Sequence, residues 1–314
     1  MPKLANGLVF AKKAAMVLMV ANPTIRTAVN RHHLSLNDDE LTRFHGLYAK
    51  MFRRKLFERL VSAKSSPWIV RFMDRELMMP LDGDGFWLTW DLAVSITGSD
   101  VEVVRTYTNF LSSDSPPDLF FDVGANYGTH SILFRAVGVP VIAFEPNPTC
   151  FSYCQRVCRL NNLSPPQWEQ IALGDHKGNA DLLYPERETW VGSISKKWAK
   201  RNFSERRDIK CASVPLYPLD AFLEQAIEKR LLVKVDVEGG ELDVFRGAAR
   251  ILSEIRPHVI FECMDGTIRH ELYDFLLAHK YSVYDLPFNQ QRPLELEEFK
   301  ERPWPIINFL ASPS

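Results

Sequence analysis

From residue 118 onward the chain alternates short apolar runs with stretches of helical periodicity. DLFFDVG (118–124), VPVIAFE (139–145), LLVKVDVEG (231–239) and HVIFEC (258–263) are largely apolar, and each carries an Asp or Glu at or near its carboxyl end. Such runs, bounded by turn signals, suit strands buried on both faces. Shorter strands are predicted at QWEQIAL (167–173), NADLLYP (179–185), YSVYDL (281–286) and IINFLA (306–311). Helices are predicted over 125–137, 148–161, 219–229 (with Asp220 placed to cap it), from the end of LLVKVDVEG to about residue 252, and over 269–280. Strands alternating with helices argue for an α/β fold with a mostly parallel, helix-covered sheet. Right-handed crossovers then gather the strands' carboxyl ends on one rim, where ligands bind in open α/β sheets.

The first 117 residues read differently. Residues 1–65 are predicted helical. Residues 66–90 are predicted to form short strands around a turn at 82–85, and 91–113 a helix that stops at SSDSPPD. We divide the chain into a mainly helical extension, 1–117, which could serve as a substrate lid or an oligomer contact, and a ligand-binding domain, 118–314. The apolar run 14–21 holds eight residues, far short of the roughly 20 that span a bilayer. No transmembrane segment or secretory signal is expected. A surface helix packed on the core is preferred there, with peripheral membrane contact as the alternative.

Composition narrows the function. The 38 basic and 39 acidic residues leave a net charge of -1, so no nucleic-acid partner is expected. Five cysteines fit no zinc or cluster spacing; Cys150, Cys154 and Cys158 share one helix face and read as small buried residues. Reduced thiols and a cytoplasmic location follow as the default.

Three segments at the expected rim carry the chemistry. In Asp122-Val-Gly124-Ala125-Asn126-Tyr-Gly128-Thr-His130, Asn126 stands where a dinucleotide fingerprint needs its second glycine, which disfavours a pyrophosphate. The Asp122 carboxylate would instead draw a ligand ammonium by charge. Glu145 ends the next strand at the position that accepts both ribose hydroxyls in nucleotide sites. Asp236 and Glu238 close an apolar strand at i and i+2, so they point the same way. Glu262 ends the next strand and would join them, while Glu241 at a helix start reads as structural.

Together FFDVGANYGTHSILF, VIAFEPNP, Gly192-Ser193-Ile-Ser195, KVDVEGGELDVFRGA and RPHVIFEC resemble the FkbM family of S-adenosylmethionine-dependent methyltransferases over about residues 118–311. The resemblance implies a class I methyltransferase, Rossmann-like fold: a seven-stranded, mostly parallel sheet with helices on both faces and an antiparallel last strand. It implies S-adenosyl-L-methionine as methyl donor and O-methylation of a hydroxyl on a sugar, glycolipid or natural product. Asp122, Gly124, Ala125, Asn126 and Gly128 would line its methionine end, Glu145 its ribose, Asn147 its adenosine and Ala172 its adenine. Asp236 and Glu238 would face the methyl.

Methyl transfer to a hydroxyl needs alignment and removal of a proton. Glu238 or Asp236 is the candidate base, with His130 a second candidate. No resident metal is expected, although Asp236, Glu238 and Glu262 could hold magnesium as an alternative. Trp190 and Trp198 would stack on an acceptor ring or pack internally. Two other readings stay open: a nicotinamide-dependent dehydrogenase, and a non-catalytic cofactor-binding subunit. Acceptor identity and oligomeric state are not readable.

Overall fold

The structure, a computed structural model, describes residues 13–53, 57, 59–61, 66–82, 85–186, 188–264, 268–289 and 291–314. The chain divides into two compact units: residues 1–104 with 156–163, and residues 105–155 with 164–314.

In the first unit residues 13–21 are helical. They precede α1 (Pro23–His33) and α2 (Asp38–Tyr48), each started by an asparagine whose side chain accepts from the first-turn N–H groups. A two-stranded hairpin follows, β1 (Trp68–Phe72) and β2 (Arg75–Met79). Its tight turn is Met73–Asp74, not the predicted 82–85; residues 83 and 84 lie outside the described residues. The predicted strand content of FWLTW is also corrected. Phe86–Ser95 is helix α3, which buries six of its ten residues. A second helix, α4 (Val101–Leu111), follows after a break at Thr97–Asp100, so the single helix predicted over 91–113 is two. Gly98 lies in the break, where a Cβ would stand 2.8 Å from the Val94 carbonyl oxygen.

An isolated hairpin is marginal, and its outward N–H and C=O groups invite wrong pairing. Here they are met at one residue of each strand. The Asn30 amide exchanges two hydrogen bonds with Ile69 N and O (2.8 and 2.7 Å), and Asn161 does the same with Met78 N and O (2.7 and 2.8 Å). Ile69 and Met78 face each other in the ladder, so the two asparagines cover its opposite edges. Each of Asn30→Ala and Asn161→Ala is expected to cost about 2 kcal/mol by leaving a backbone donor and acceptor unmet. Urea unfolding would check this, and the same substitution at exposed Asn202 serves as reference.

The second unit is built on a seven-stranded sheet ordered β11-β12-β10-β9-β3-β4-β5. Its members are β3 (Leu119–Val123), β4 (Val141–Phe144), β5 (Gln167–Glu169), β9 (Leu231–Val235), β10 (His258–Glu262), β11 (Tyr281–Asp285) and β12 (Asn308–Pro313). β10, β9, β3, β4 and β5 pair in parallel, whereas β12 runs antiparallel to both its neighbours. This is the class I methyltransferase, Rossmann-like α/β arrangement. β3 and β9 are buried at every position, as their unbroken apolar runs require. The helices include α5 (Thr129–Ala136), α6 (Phe151–Leu160) and α9 (Glu241–Arg246). The order reverses between β3 and β9, which makes their carboxyl ends the switch point where ligands bind.

A three-stranded sheet, β6 (Ala172–Leu173), β8 (Ile209–Tyr217) and β7 (Gly178–Pro185), adjoins it in sequence, with α7 (Lys196–Phe203) between β7 and β8. β8 was not expected. Over 219–229 only a 3-10 turn, Leu219–Phe222, and the four-residue α8 (Leu223–Ala226) form. Asp220 does not cap them: its carboxylate accepts from Arg250 N and Ile251 N, thirty residues on. After α10 (Arg269–Ala278) and β11 comes α11 (Leu296–Lys300). Among the described residues no helix is long and apolar enough to cross a membrane.

Candidate functional site

The ends of β3 and β9 approach so closely that only glycine fits between them. Gly124 has φ +79°, and a Cβ on it would lie 1.7 Å from the Asp236 carbonyl oxygen. Its N–H and that of Ala125 both donate to Phe144 O, pinning the loop to the end of β4. Gly128, at φ +75°, precedes the first turn of α5, and a Cβ there would meet Cys154 Sγ at 2.7 Å.

Beside this close approach a cleft opens at the carboxyl ends of β3, β4 and β9. Seven of the sequence-predicted residues line it: Gly124, Asn126, Glu145, Asn147, Ala172, Asp236 and Glu238. Phe144, Ile171, Leu173 and Leu182 surround Ala172 with apolar surface. The segment after β7 supplies the facing wall, with Thr189, Trp190 and Ser193.

Glu145 is buried and receives Asn126 N at 2.8 Å on one oxygen and Asn147 N at 2.7 Å on the other. Burial raises its pKa to about 7, against these two hydrogen bonds. Each oxygen keeps acceptor capacity toward the cleft, since a carboxylate offers about four sites. The Asn126 side chain, on a left-handed backbone (φ 48°), accepts from Thr189 Oγ1 at 3.1 Å. Asn147 is 2% exposed; its Oδ1 accepts from Thr149, but its Nδ2 has no hydrogen-bond partner among the described residues.

At the other end Asp236, Glu238 and Glu262 bring carboxylate oxygens within 4.8 Å of one another. Beneath them lies Lys234, fully buried, with Nζ 3.2 Å from Asp236 Oδ2. Burial would raise the Asp236 pKa, but the Lys234 charge and a hydrogen bond from Glu262 overcome it and hold the group below its ordinary value. Glu262 is raised well above its ordinary value, by burial first and then by the charge of Asp236. Burial, then Asp236 and Glu241, raises Glu238 to about 9. Its Oε2 has no hydrogen-bond partner among the described residues. Its backbone is left-handed (φ 55°), and its carbonyl accepts from Ser193 Oγ at 2.7 Å. Asn126 and Glu238 are thus two non-glycine residues held in a costly conformation, both on the cleft wall. The three carboxylates also have the spacing for a divalent cation.

Other expected residues stand elsewhere. The Asp122 carboxylate does not line the cleft; it is 1% exposed and accepts from Ser131 N (2.9 Å) and Ser131 Oγ (2.6 Å), tying β3 to α5. Ala125 and Gly128 shape the loop through backbone alone. His130 also lies off the lining: its Nδ1 meets Tyr107 Oη at 3.2 Å, and burial, with Lys234 nearby, lowers its pKa to about 3. It is neutral and held against a phenol. Trp198 packs on the backbone of Gly239, where a Cβ would fall 2.6 Å from its ring, whereas Trp190 lines the cleft. Glu241 turns back to accept from Gly239 N at 2.9 Å. Lys234 and Ser193 went unassigned; a lone lysine inside an apolar strand, two residues before Asp236, was the signal for the first.

A model of the methyltransferase FkbM domain matches residues 122–283, more than half of the chain. The chain belongs to the FkbM methyltransferase family. The FkbM match begins at Asp122 and contains every cleft residue named above. Among relatives, "Methyltransferase sdnD" of Sordaria araneosa is 29% identical, over 51% of this chain and 71% of its own. "Hexuronic acid methyltransferase AglP" of Haloferax volcanii is 28% identical over 53% of this chain and 64% of its own, and "2-O-methyltransferase NoeI" of Sinorhizobium fredii 25% identical over 50% and 68%. A solved FkbM methyltransferase from Methylobacillus flagellatus KT superposes with a TM-score of 0.43 at 16% identity, covering 74% of this chain and 56% of that one. The chain spans about two thirds of the length of these curated relatives.

Proposed function

We propose that this FkbM methyltransferase takes S-adenosyl-L-methionine as donor and methylates a hydroxyl oxygen of a sugar, glycolipid or natural product. One observation carries the reading: a single cleft has unmet hydrogen-bonding groups at both ends, Asn147 Nδ2 beside Glu145 and Glu238 Oε2 beside Asp236. Both are buried groups that a polar ligand would satisfy. The names of AglP and NoeI, which specify a hexuronic acid and a 2-O position, support a sugar hydroxyl as acceptor.

In this reading 118–314 is the donor-binding domain and the residues before it an extension. Glu145 accepts from the ribose hydroxyls, Asn147 donates to the adenosine, and the apolar surface around Ala172 takes the adenine. The loop from Gly124 to Asn126 receives the methionine end, and Asp122, bonded to Ser131, holds β3 and α5 together on either side of that loop. Bound S-adenosylmethionine supplies a methyl group already activated by the sulfonium. The protein therefore has to orient the acceptor and remove its proton. Glu238 takes that proton, and its burial, followed by the negative charge of Asp236, keeps it strongly basic. A base is favoured over a bridging cation because Lys234 already sets a positive charge 3.2 Å from Asp236.

Calorimetry with S-adenosylhomocysteine tests the donor site. We expect binding by the native protein, weakened by about 10- to 100-fold in Glu145→Ala as charge-assisted hydrogen bonds are lost. No binding, or binding of NADH in its place, would sink the proposal. Turnover that EDTA abolishes and magnesium restores would replace the base by a cation.

A further inference from the structure

The turn before β12 leaves a large aromatic side chain in solvent at the reactive rim. β12 is antiparallel to β10, so its first residue, Asn308, stands opposite Glu262, and Ile307 O accepts from Cys263 N at 2.7 Å. The preceding turn, Pro303–Ile306, is closed by Ile306 N–H to Pro303 O at 2.8 Å. Trp304 sits in it, 74% exposed, with Ile306 41% exposed beside it. Four residues of chain reach at most about 14 Å and the strand pair adds about 5 Å, so the Trp304 Cα lies within about 20 Å of the Glu262 Cα, the span of a short oligosaccharide.

This segment is rigidly mounted. Arg269, 3% exposed, reaches under it and donates to the carbonyls of Cys263 (2.9 Å), Phe299 (3.0 Å), Arg302 (2.9 Å) and Ile306 (3.4 Å). Its guanidinium also lies 5.1 Å from the Phe309 ring centroid and 5.6 Å from that of Phe299. The indole is therefore presented by a fixed backbone, which reduces the ordering a ligand has to bring about.

We propose that Trp304 is an acceptor-binding residue, a stacking platform for a carbohydrate ring further along the chain from the one that carries the reacting hydroxyl. The inference rests on the acceptor side of the proposed function. A saccharide is favoured over a membrane surface by the local charge. Arg302 pairs with Asp285, Arg292 with Glu298 and Lys300 with Glu297, while Glu295 and Glu301 add negative charge. An interfacial anchor needs the opposite, a basic surround for anionic lipids.

The test uses the full chain saturated with S-adenosylhomocysteine. Saturation-transfer NMR is run with tetrasaccharides of glucose, glucuronic acid and N-acetylglucosamine as probes. At least one is expected to bind, about tenfold more weakly in Trp304→Ala, with affinity largely recovered in Trp304→Phe and S-adenosylhomocysteine binding unchanged in both. If the alanine variant binds every saccharide as the native protein does, or if none binds the native protein, the platform is overturned. Co-sedimentation with phosphatidylcholine–phosphatidylglycerol vesicles that is lost in Trp304→Ala overturns it in favour of a membrane anchor. Loss of S-adenosylhomocysteine binding by the native protein would count against the donor site and not against Trp304.

Discussion

Glu238→Gln is expected to lower kcat by 100-fold or more, within the roughly 10²–10⁴ range for a general base, while S-adenosylhomocysteine binds as before. The amide fills the same space but accepts no proton. The pH profile makes the assignment sharper. The base must be ionised, and burial with Asp236 and Glu241 raises Glu238 to about 9. Below that value each unit of pH raises the ionised fraction about tenfold, so kcat climbs between pH 7 and 9 and levels off above. In Glu238→Gln the climb disappears. The linked effect on stability has the opposite direction. The folded protein holds this proton at pH values where the unfolded chain has released it, so Glu238 contributes stability that fades as pH rises from about 4.5 toward 9. Activity thus rises through the interval in which the fold loses stability. A flat kcat profile in the native enzyme would remove Glu238 from the role.

Gly124→Ala should be the most damaging single-methyl change in the second unit. The added carbon would lie 1.7 Å from the Asp236 carbonyl oxygen, and neither atom is on a side chain that can swing away. β3 and β9 would have to part at the point where the cleft begins. We expect a loss of more than 4 kcal/mol, in the range reserved for core disruption, together with loss of S-adenosylhomocysteine binding. Gly138→Ala separates the causes. Gly138 also has a positive φ (+85°) but nothing within 4 Å of its missing Cβ. It should cost only the conformational penalty of about 1–2 kcal/mol. Thermal unfolding of the two variants would measure the difference, and equal losses would refute the close-approach argument.

What could be read from sequence was what depends on neighbours in the chain. β3, β4, β9 and β10 announce themselves as apolar runs, and their carboxyl ends carry Glu145, Asp236, Glu238 and Glu262, which do meet at one rim. Non-local matters were the ones misread. Asp220 looked like the cap of its own helix because its partners, Arg250 and Ile251, are thirty residues away. β8 escaped notice because Pro215 interrupts a modest alternation, yet Pro215 pairs with Asn179 within the small antiparallel sheet. The glycines near residue 85 suggested a hairpin turn, whereas Gly85 opens a helix and the hairpin turns at Met73. Asp122 was expected to draw a ligand ammonium by charge, but its carboxylate is buried and accepts from Ser131, nine residues on. Lys234 is the counterpart: its place in the strand was visible, but its charge acquired meaning only beside Asp236.

The contact between Gly124 and Asp236 also fixes a dimension. Because backbone meets backbone there, the gap between the loop after β3 and the loop after β9 follows the strand spacing of about 4.8 Å common to every sheet. Side chains along the cleft can be exchanged during divergence, altering which molecule is received, while that gauge remains as set by main-chain atoms. Donor-side and acceptor-side residues could then vary independently, each measured from the same rule.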